Sequence, residues 1–200
     1  MKNRKTMQTG AVEHGGDSHL DFRTGFIMEA TEQTGDFASV DLTRGIVDWH
    51  THPATCKSKN MCTIGLPSPA DLANVAIGAT MGNQAHMVYS LEGTYVIQLD
   101  GLEIRKLLSD GQYARDRPDE VNRQMGKIFA KYSSLPPGER SADKPMSDIS
   151  ARDYYKRFSR EYIRRAKELG FVVRLFPGDT IPKISISFAC GNGGKELVMT

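Results

Sequence analysis

The chain is poor in cysteine: Cys56, Cys62 and Cys190 are the only three among 200 residues. So low and odd a count excludes a disulfide framework and fits a reducing compartment, so an intracellular, cytoplasmic protein is expected. Five residues separate Cys56 from Cys62. A second metal grip or a single bridge is open to that pair, but structural zinc spacing is tighter, at about two to four intervening residues. Ordinary loop cysteines are the reading adopted. Long hydrophobic runs are missing as well, since nothing approaches the ~20 apolar residues that span a bilayer. The basic start, Met1-Lys2-Asn3-Arg4-Lys5, is followed by no apolar stretch, so no secretory signal is expected there. Neither sign of charge dominates. With 26 Lys and Arg against 24 Asp and Glu, the net charge of +2 gives no chain-wide pull towards nucleic acid or membrane. What is present is ordinary globular usage, 39% hydrophobic and 25% charged. The length allows one domain with a substantial core, or a compact domain with an appendage.

Short β-like runs are expected at 24–30 and 37–42, with a turn at Gly35-Asp36 between them. A strand at 45–52 leads into two histidines, and a long loop follows at 54–67. From Ser68 the residues Leu72, Val75, Ala76 and Ala79 fall at helical spacing, and Gly82-Asn83 end the helix. Runs 85–91 and 94–99 read as a hairpin through Glu92-Gly93, and 102–108 as a short helix. Alternating strands and helices over 10–110 predict an α/β layer fold. Beyond residue 110 the pattern is mainly helical. Residues 118–132 carry Val121, Met125, Ile128 and Phe129 on one stripe, and a linker is expected at 134–146. Residues 148–169 form the strongest helix, with Tyr155, Phe158, Tyr162, Ala166 and Leu169 as its stripe and Gly170 as its stop. Two β-like runs follow at 171–176 and 183–188, and the glycine-rich end, Cys190 to Thr200, is expected to fray. The expected organisation is a domain at 8–110 and a helical extension with two short strands at 111–200.

The chemistry concentrates in Val47-Asp48-Trp49-His50-Thr51-His52-Pro53 and Ser68-Pro69-Ala70-Asp71. Residues i and i+2 of a strand share a face, so His50 and His52 present their rings side by side while Thr51 faces away. Two imidazoles so placed can take two corners of a zinc tetrahedron, and Asp71, in the first turn of the next helix, can take a third. The fourth corner, left to water, distinguishes a catalytic ion from a structural one. Ser68-Pro69-Ala70-Asp71 is also a good helix start, with Ser68 as N-cap, Pro69 at N1 and Asp71 complementing the dipole. The two readings are compatible. Hydrolysis also needs a general base. Glu13, Glu29 and Glu32 are candidates, and Glu13 is favoured. It begins Glu13-His14-Gly15-Gly16, whose glycines permit close backbone approach beside the histidine strand.

These residues resemble the JAMM (MPN-plus) metalloprotease family, whose pattern is an early strand Glu, then His-Ser/Thr-His-Pro, then Ser-x-x-Asp. The resemblance covers roughly 8–110, and the run Gly82 to Leu99 is similar to the family's following hairpin. It implies an α/β MPN-type fold, a curved mixed sheet flanked by helices. It also implies one Zn²⁺ held by His50, His52 and Asp71. Glu13 would move the proton between water and the leaving amine, and Ser68 would stabilise the oxyanion. The implied activity is that of a zinc isopeptidase or peptidase acting on ubiquitin, a ubiquitin-like protein or a related peptide bond. One departure is the 54–67 segment, longer than the family's usual gap. It is expected to form a flap over the site or a partner contact, and so to shape substrate access.

Asp48-Trp49-His50-Thr51-His52 is similar to the first metal strand of amidohydrolase barrels. That fold needs about 250 residues and further ligands, whereas only His86 follows here. The zinc deaminase signature is absent. A catalytically silent MPN scaffold that binds partners is the alternative function. The basic helix bearing Arg152, Lys156, Arg157, Arg160, Arg164, Arg165 and Lys167 is read as a solvated face interspersed with Asp153, Glu161 and Glu168 rather than a nucleic-acid surface. The C-terminal region is the expected place for a protein partner. Trp49 is expected to pack beneath the site.

Overall fold

In the computed structural model the described residues are 12–20, 27–36, 40, 45–52, 56–58, 61–62, 65–90, 93–132, 159–178, 184–188 and 195–199. The sheet is organised around β3 (Val47–Thr51), every residue of which is buried. Such burial requires neighbours along both edges and cover on both faces. β1 (His14–Leu20) runs antiparallel along one edge, with Gly15 opposite His50 and Asp17 opposite Asp48. β6 (Ala85–Tyr89) runs parallel along the other, with Asp48 opposite His86 and His50 opposite Val88. A parallel pair needs a crossover, and α1 (Pro69–Ala79) supplies it. β2 (Ile27–Thr34) pairs with β1, β7 (Gly93–Leu99) with β6, and β8 (Phe171–Pro177) with β7. The result is an open, mixed six-stranded sheet in the order β2-β1-β3-β6-β7-β8.

The period of two along each strand divides the residues between the faces. Val47, Trp49, Ala85, Met87 and Val96 form a small apolar cluster on one side, and the Trp49 ring meets Tyr89 edge-on at 5.6 Å. Trp49 thus lies on the face opposite Asp48 and His50. On the other face Val88, Tyr95, Ile97, Phe171 and Val173 join the main core. Its remaining residues come from α1, α2 (Gly101–Ser109), α3 (Gly111–Tyr132) and the helix α4 at 159–168. Val121, Met125, Tyr162, Ala166 and Leu169 therefore share one core with Leu72 and Val75, and β8 lies in the same sheet as β3. The residues after 110 and those before it are built into common layers.

Several local expectations are corrected. Residues 27–30 of the run expected at 24–30 are strand, and β2 continues to Thr34, while 24–26 lie outside the described residues. The expected pairing of the segment after Glu13 beside the histidine strand is present as β1, which is rich in Gly, Asp and Ser and is held as a strand by β2 and β3 on its two sides. The 54–67 loop contains two short paired strands, β4 (Cys56–Ser58) and β5 (Met61–Cys62). α3 begins at Gly111, seven residues before the expected start at 118. Asp110 Oδ1 accepts from the backbone N–H groups of Gln112 and Tyr113 at 2.9 and 3.0 Å, so the start lies at this carboxylate and not at Pro118. The end expected to fray contains β10 (Lys195–Met199), paired with β9 (Ile184–Phe188), Leu197 opposite Ile186. The glycines at 191, 193 and 194 lie in sequence between those strands. Most of the expected strand at 37–42, the linker at 134–146, and the first half of the last helix with Tyr155 and Phe158 lie outside the described residues. No helix among the described residues is long and apolar enough to cross a membrane.

Candidate metal centre

The strand ladder places the histidines. His52 follows β3, and its N–H donates to Tyr89 O at 2.8 Å, which extends the pairing with β6 by one residue. The i, i+2 relation therefore holds beyond the strand proper. The two rings stand 4.7 Å apart between centroids, and their Nε2 atoms approach to 2.8 Å. Both histidines are buried.

The start of α1 places the carboxylate. Ser68 is the N-cap in an extended conformation, and Pro69 opens the helix. Ser68 Oγ accepts from Asp71 N–H at 3.1 Å, and Asp71 Oδ2 accepts from Ser68 N–H at 2.5 Å. This reciprocal capping box fixes the Asp71 rotamer. From that position Asp71 Oδ1 lies 3.5 Å from His50 Nε2 and Oδ2 lies 3.4 Å from His52 Nε2. One side chain serves as helix cap and as part of the site. Zinc with ligands at ~2.0–2.1 Å makes a tetrahedron with edges of ~3.3–3.4 Å. The two carboxylate–imidazole separations, 3.4 and 3.5 Å, sit close to those edges, and the two imidazole nitrogens stand nearer, at 2.8 Å. The two imidazoles and the Asp71 carboxylate are thus brought together by the strand and the helix start.

Glu13 immediately precedes β1. Its backbone exchanges hydrogen bonds with the Gly35-Asp36 turn, Glu13 N–H donating to Asp36 O at 2.7 Å and Gly35 N–H to Glu13 O at 2.8 Å. The next N–H, of His14, donates to Thr51 Oγ1 at 2.9 Å, which holds the segment beside the residue between the two histidines. The Glu13 side chain is buried. Burial raises its carboxyl to about 7, against the pull of His52 and with smaller contributions from Asp71 and Asp36. Glu32, by contrast, is exposed on β2, one strand further from β3, and Glu29 lies on that same strand. Ser68 is half-buried, its hydroxyl oxygen engaged by the cap.

Two residues join the cluster that the sequence reading gave no site role. Asp48 shares the His50 face, and His86 sits opposite it in register on β6. His86 Nδ1–H donates to Asp48 Oδ1 in a short contact, both side chains being buried. The His86 ring stands 4.8 Å from that of His50, and His50, Asp71 and His86 offer ligand atoms all within 4.8 Å of one another. His86 Nε2 is buried and, among the described residues, has no hydrogen-bond partner. The signal was available: Asp48 has the same parity as His50 and His52, and His86 is the one polar residue in the run Ala85-His86-Met87-Val88.

Electrostatics ties the groups together. Burial alone would raise the Asp71 carboxyl, but His50, then His52 and His86, outweigh it and hold Asp71 below the usual carboxylate range. Burial lowers His50 well below the ordinary imidazole value despite Asp71. His86 goes the other way: burial disfavours its charged form, but Asp48 prevails and raises it. The set offers nitrogen and carboxylate donors in a site shielded from water, a combination suited to zinc and other borderline transition ions.

No protein-family model matches the chain, and no curated protein or solved structure gives a significant match.

Proposed function

We propose that the protein is a zinc-dependent peptidase of the JAMM type, an isopeptidase that hydrolyses ubiquitin or ubiquitin-like conjugates or a related peptide bond. The observation that carries this reading is the Asp71 carboxylate, within 3.5 Å of Nε2 on both His50 and His52. His50, His52 and Asp71 would hold the ion. Bound there, a divalent cation supplies Lewis acidity and brings the ionisation of water towards neutral pH. Glu13, buried with a carboxyl raised to about 7, has the proton affinity of a group that takes a proton from water and returns it to a leaving amine. Ser68 can turn its O–H towards a developing oxyanion while its lone pair keeps the cap. A silent scaffold has no need of a buried glutamate beside an intact donor set, and Glu13 argues for the enzyme.

The test is a panel of ubiquitin-like fusions and plain peptides, with a chelator control. Wild type is expected to cleave at least one member and to stop on chelation. Glu13→Gln is expected to keep one zinc per chain and lose about 10²–10⁴-fold in kcat. Full activity in Glu13→Gln, or cleavage indifferent to chelator, would overturn the proposal.

A further inference from the structure

The Asp48–His86 pair is not used by the reading above, and burying it is unfavourable unless it has a purpose. A buried polar nitrogen without a partner carries a desolvation penalty of about 1–3 kcal/mol, and among the described residues His86 Nε2 is such an atom. Its surroundings are specific. A carboxylate only accepts hydrogen bonds, so the contact with Asp48 puts the ring proton on Nδ1 and leaves Nε2 as the free end of the ring. His86 groups with His50 and Asp71 in a buried cluster of possible ligands, its ring 4.8 Å from that of His50. A histidine that gives its far N–H to a carboxylate and turns its other nitrogen to a cation is the usual arrangement of a metal-bound imidazole, because the carboxylate fixes the tautomer and raises ligand basicity. The register produces this without strain, since Asp48 and His86 are directly paired on neighbouring strands and share a face with His50.

We propose that His86 is a fourth protein ligand of the centre through Nε2, oriented by Asp48, so that the ion is held by three imidazoles and the Asp71 carboxylate. This rests on the metal reading above and deepens it. Three imidazoles select zinc and similar transition ions over magnesium and calcium, which prefer oxygen donors. Zinc accommodates a fifth ligand, so a place for water survives.

Chelator competition on the full chain tests it, with wild type, Asp48→Asn, His86→Gln and, as reference, His52→Ala. Asp48→Asn is expected to weaken zinc about 10–100-fold, the usual effect of losing a ligand's orienting partner, and His86→Gln at least as much. The cobalt(II)-substituted protein should change its visible absorption in both variants. Should the variants fail to fold, two-bond ¹⁵N–¹H spectra of the wild type decide the matter. Zinc should move His86 Nε2 together with the His50 and His52 Nε2 resonances. Zinc bound at wild-type affinity with an unaltered cobalt spectrum in His86→Gln, or a His86 Nε2 resonance indifferent to zinc, overturns the proposal and leaves the peptidase reading standing. A wild type that binds no zinc at all removes both.

Discussion

Glu13 holds its proton at a pH where an exposed glutamate has lost it. Burial raises its carboxyl from 4.5 to about 7, so between those values the folded chain binds a proton that the unfolded chain releases. Stability then falls as pH rises through that window and levels off above it. In the metal-free protein Glu13→Gln removes this dependence. The variant's urea midpoint should gain on wild type from about pH 4.5 to 7, with a constant difference on either side. Parallel curves across the window would show that the Glu13 carboxyl is solvated. The other site residues show why a residue-level reading went as far as it did. His50 and His52 were legible because strand parity is a local rule, and Asp71 because a helix start has its own signature. His86 stood out as the one polar residue of an apolar strand, but its partner did not, because that depends on the register of two strands 38 residues apart in sequence. No spacing within one segment encodes that.

Elements meet at a second buried polar cluster, away from the metal centre. Glu103 of α2 lies 2.6 Å from Arg117 Nε of α3 and accepts from Tyr113 O–H at 2.5 Å. Arg117 also donates to Leu169 O at the end of α4. Gly170 follows in a left-handed conformation, φ +81°, where an added Cβ would stand 2.8 Å from Glu103 Cβ. Three helices and the entry to β8 are thus locked by one ion pair and one glycine. Removing one partner of a buried pair leaves the other charge uncompensated, and Arg117→Met should cost about 3–5 kcal/mol in denaturant unfolding. Arg123→Met, which breaks an exposed pair with Glu120, should cost under ~1 kcal/mol. Equal effects would show that Arg117 contributes only its packing. Helix stripes and the 85–99 hairpin were readable in advance because their periods are local. The start of α3 was misplaced because Pro118 is the louder signal and Asp110 the effective one. The strand beside the histidines was legible from the glycines after Glu13, but the full length of β1 was not, because its sequence is poor in strand formers and it is held by its neighbours.

At the scale of the molecule, the candidate site is a junction. Glu13 precedes β1, His50 and His52 belong to the β3 segment, Asp71 begins α1 and His86 lies on β6. The sheet runs from these strands through β7 to β8, so the residues after 110 brace the same layers. Their share in the sheet is hard to read from sequence, because pairing of β8 with β7 spans some 75 residues of chain. A cation bridging such distant segments binds the folded state and finds no preformed site in the unfolded one. Its stabilisation is RT ln(1 + [L]/Kd), about 4 kcal/mol with free zinc at ~1,000 times Kd. For a chain of this size ~1 kcal/mol moves the unfolding temperature by about 2–4 °C, so zinc should raise Tm by roughly 8–16 °C. His52→Ala should lose most of that rise, even where its metal-free Tm matches wild type. Because imidazole must be neutral to bind and carboxylate ionised, the rise should also shrink as pH falls. Calorimetry with and without zinc at pH 7.5 and 5.5 reads both effects. An equal zinc response in wild type and His52→Ala would place the ion elsewhere, and detach stability from the junction of β3, α1 and β6.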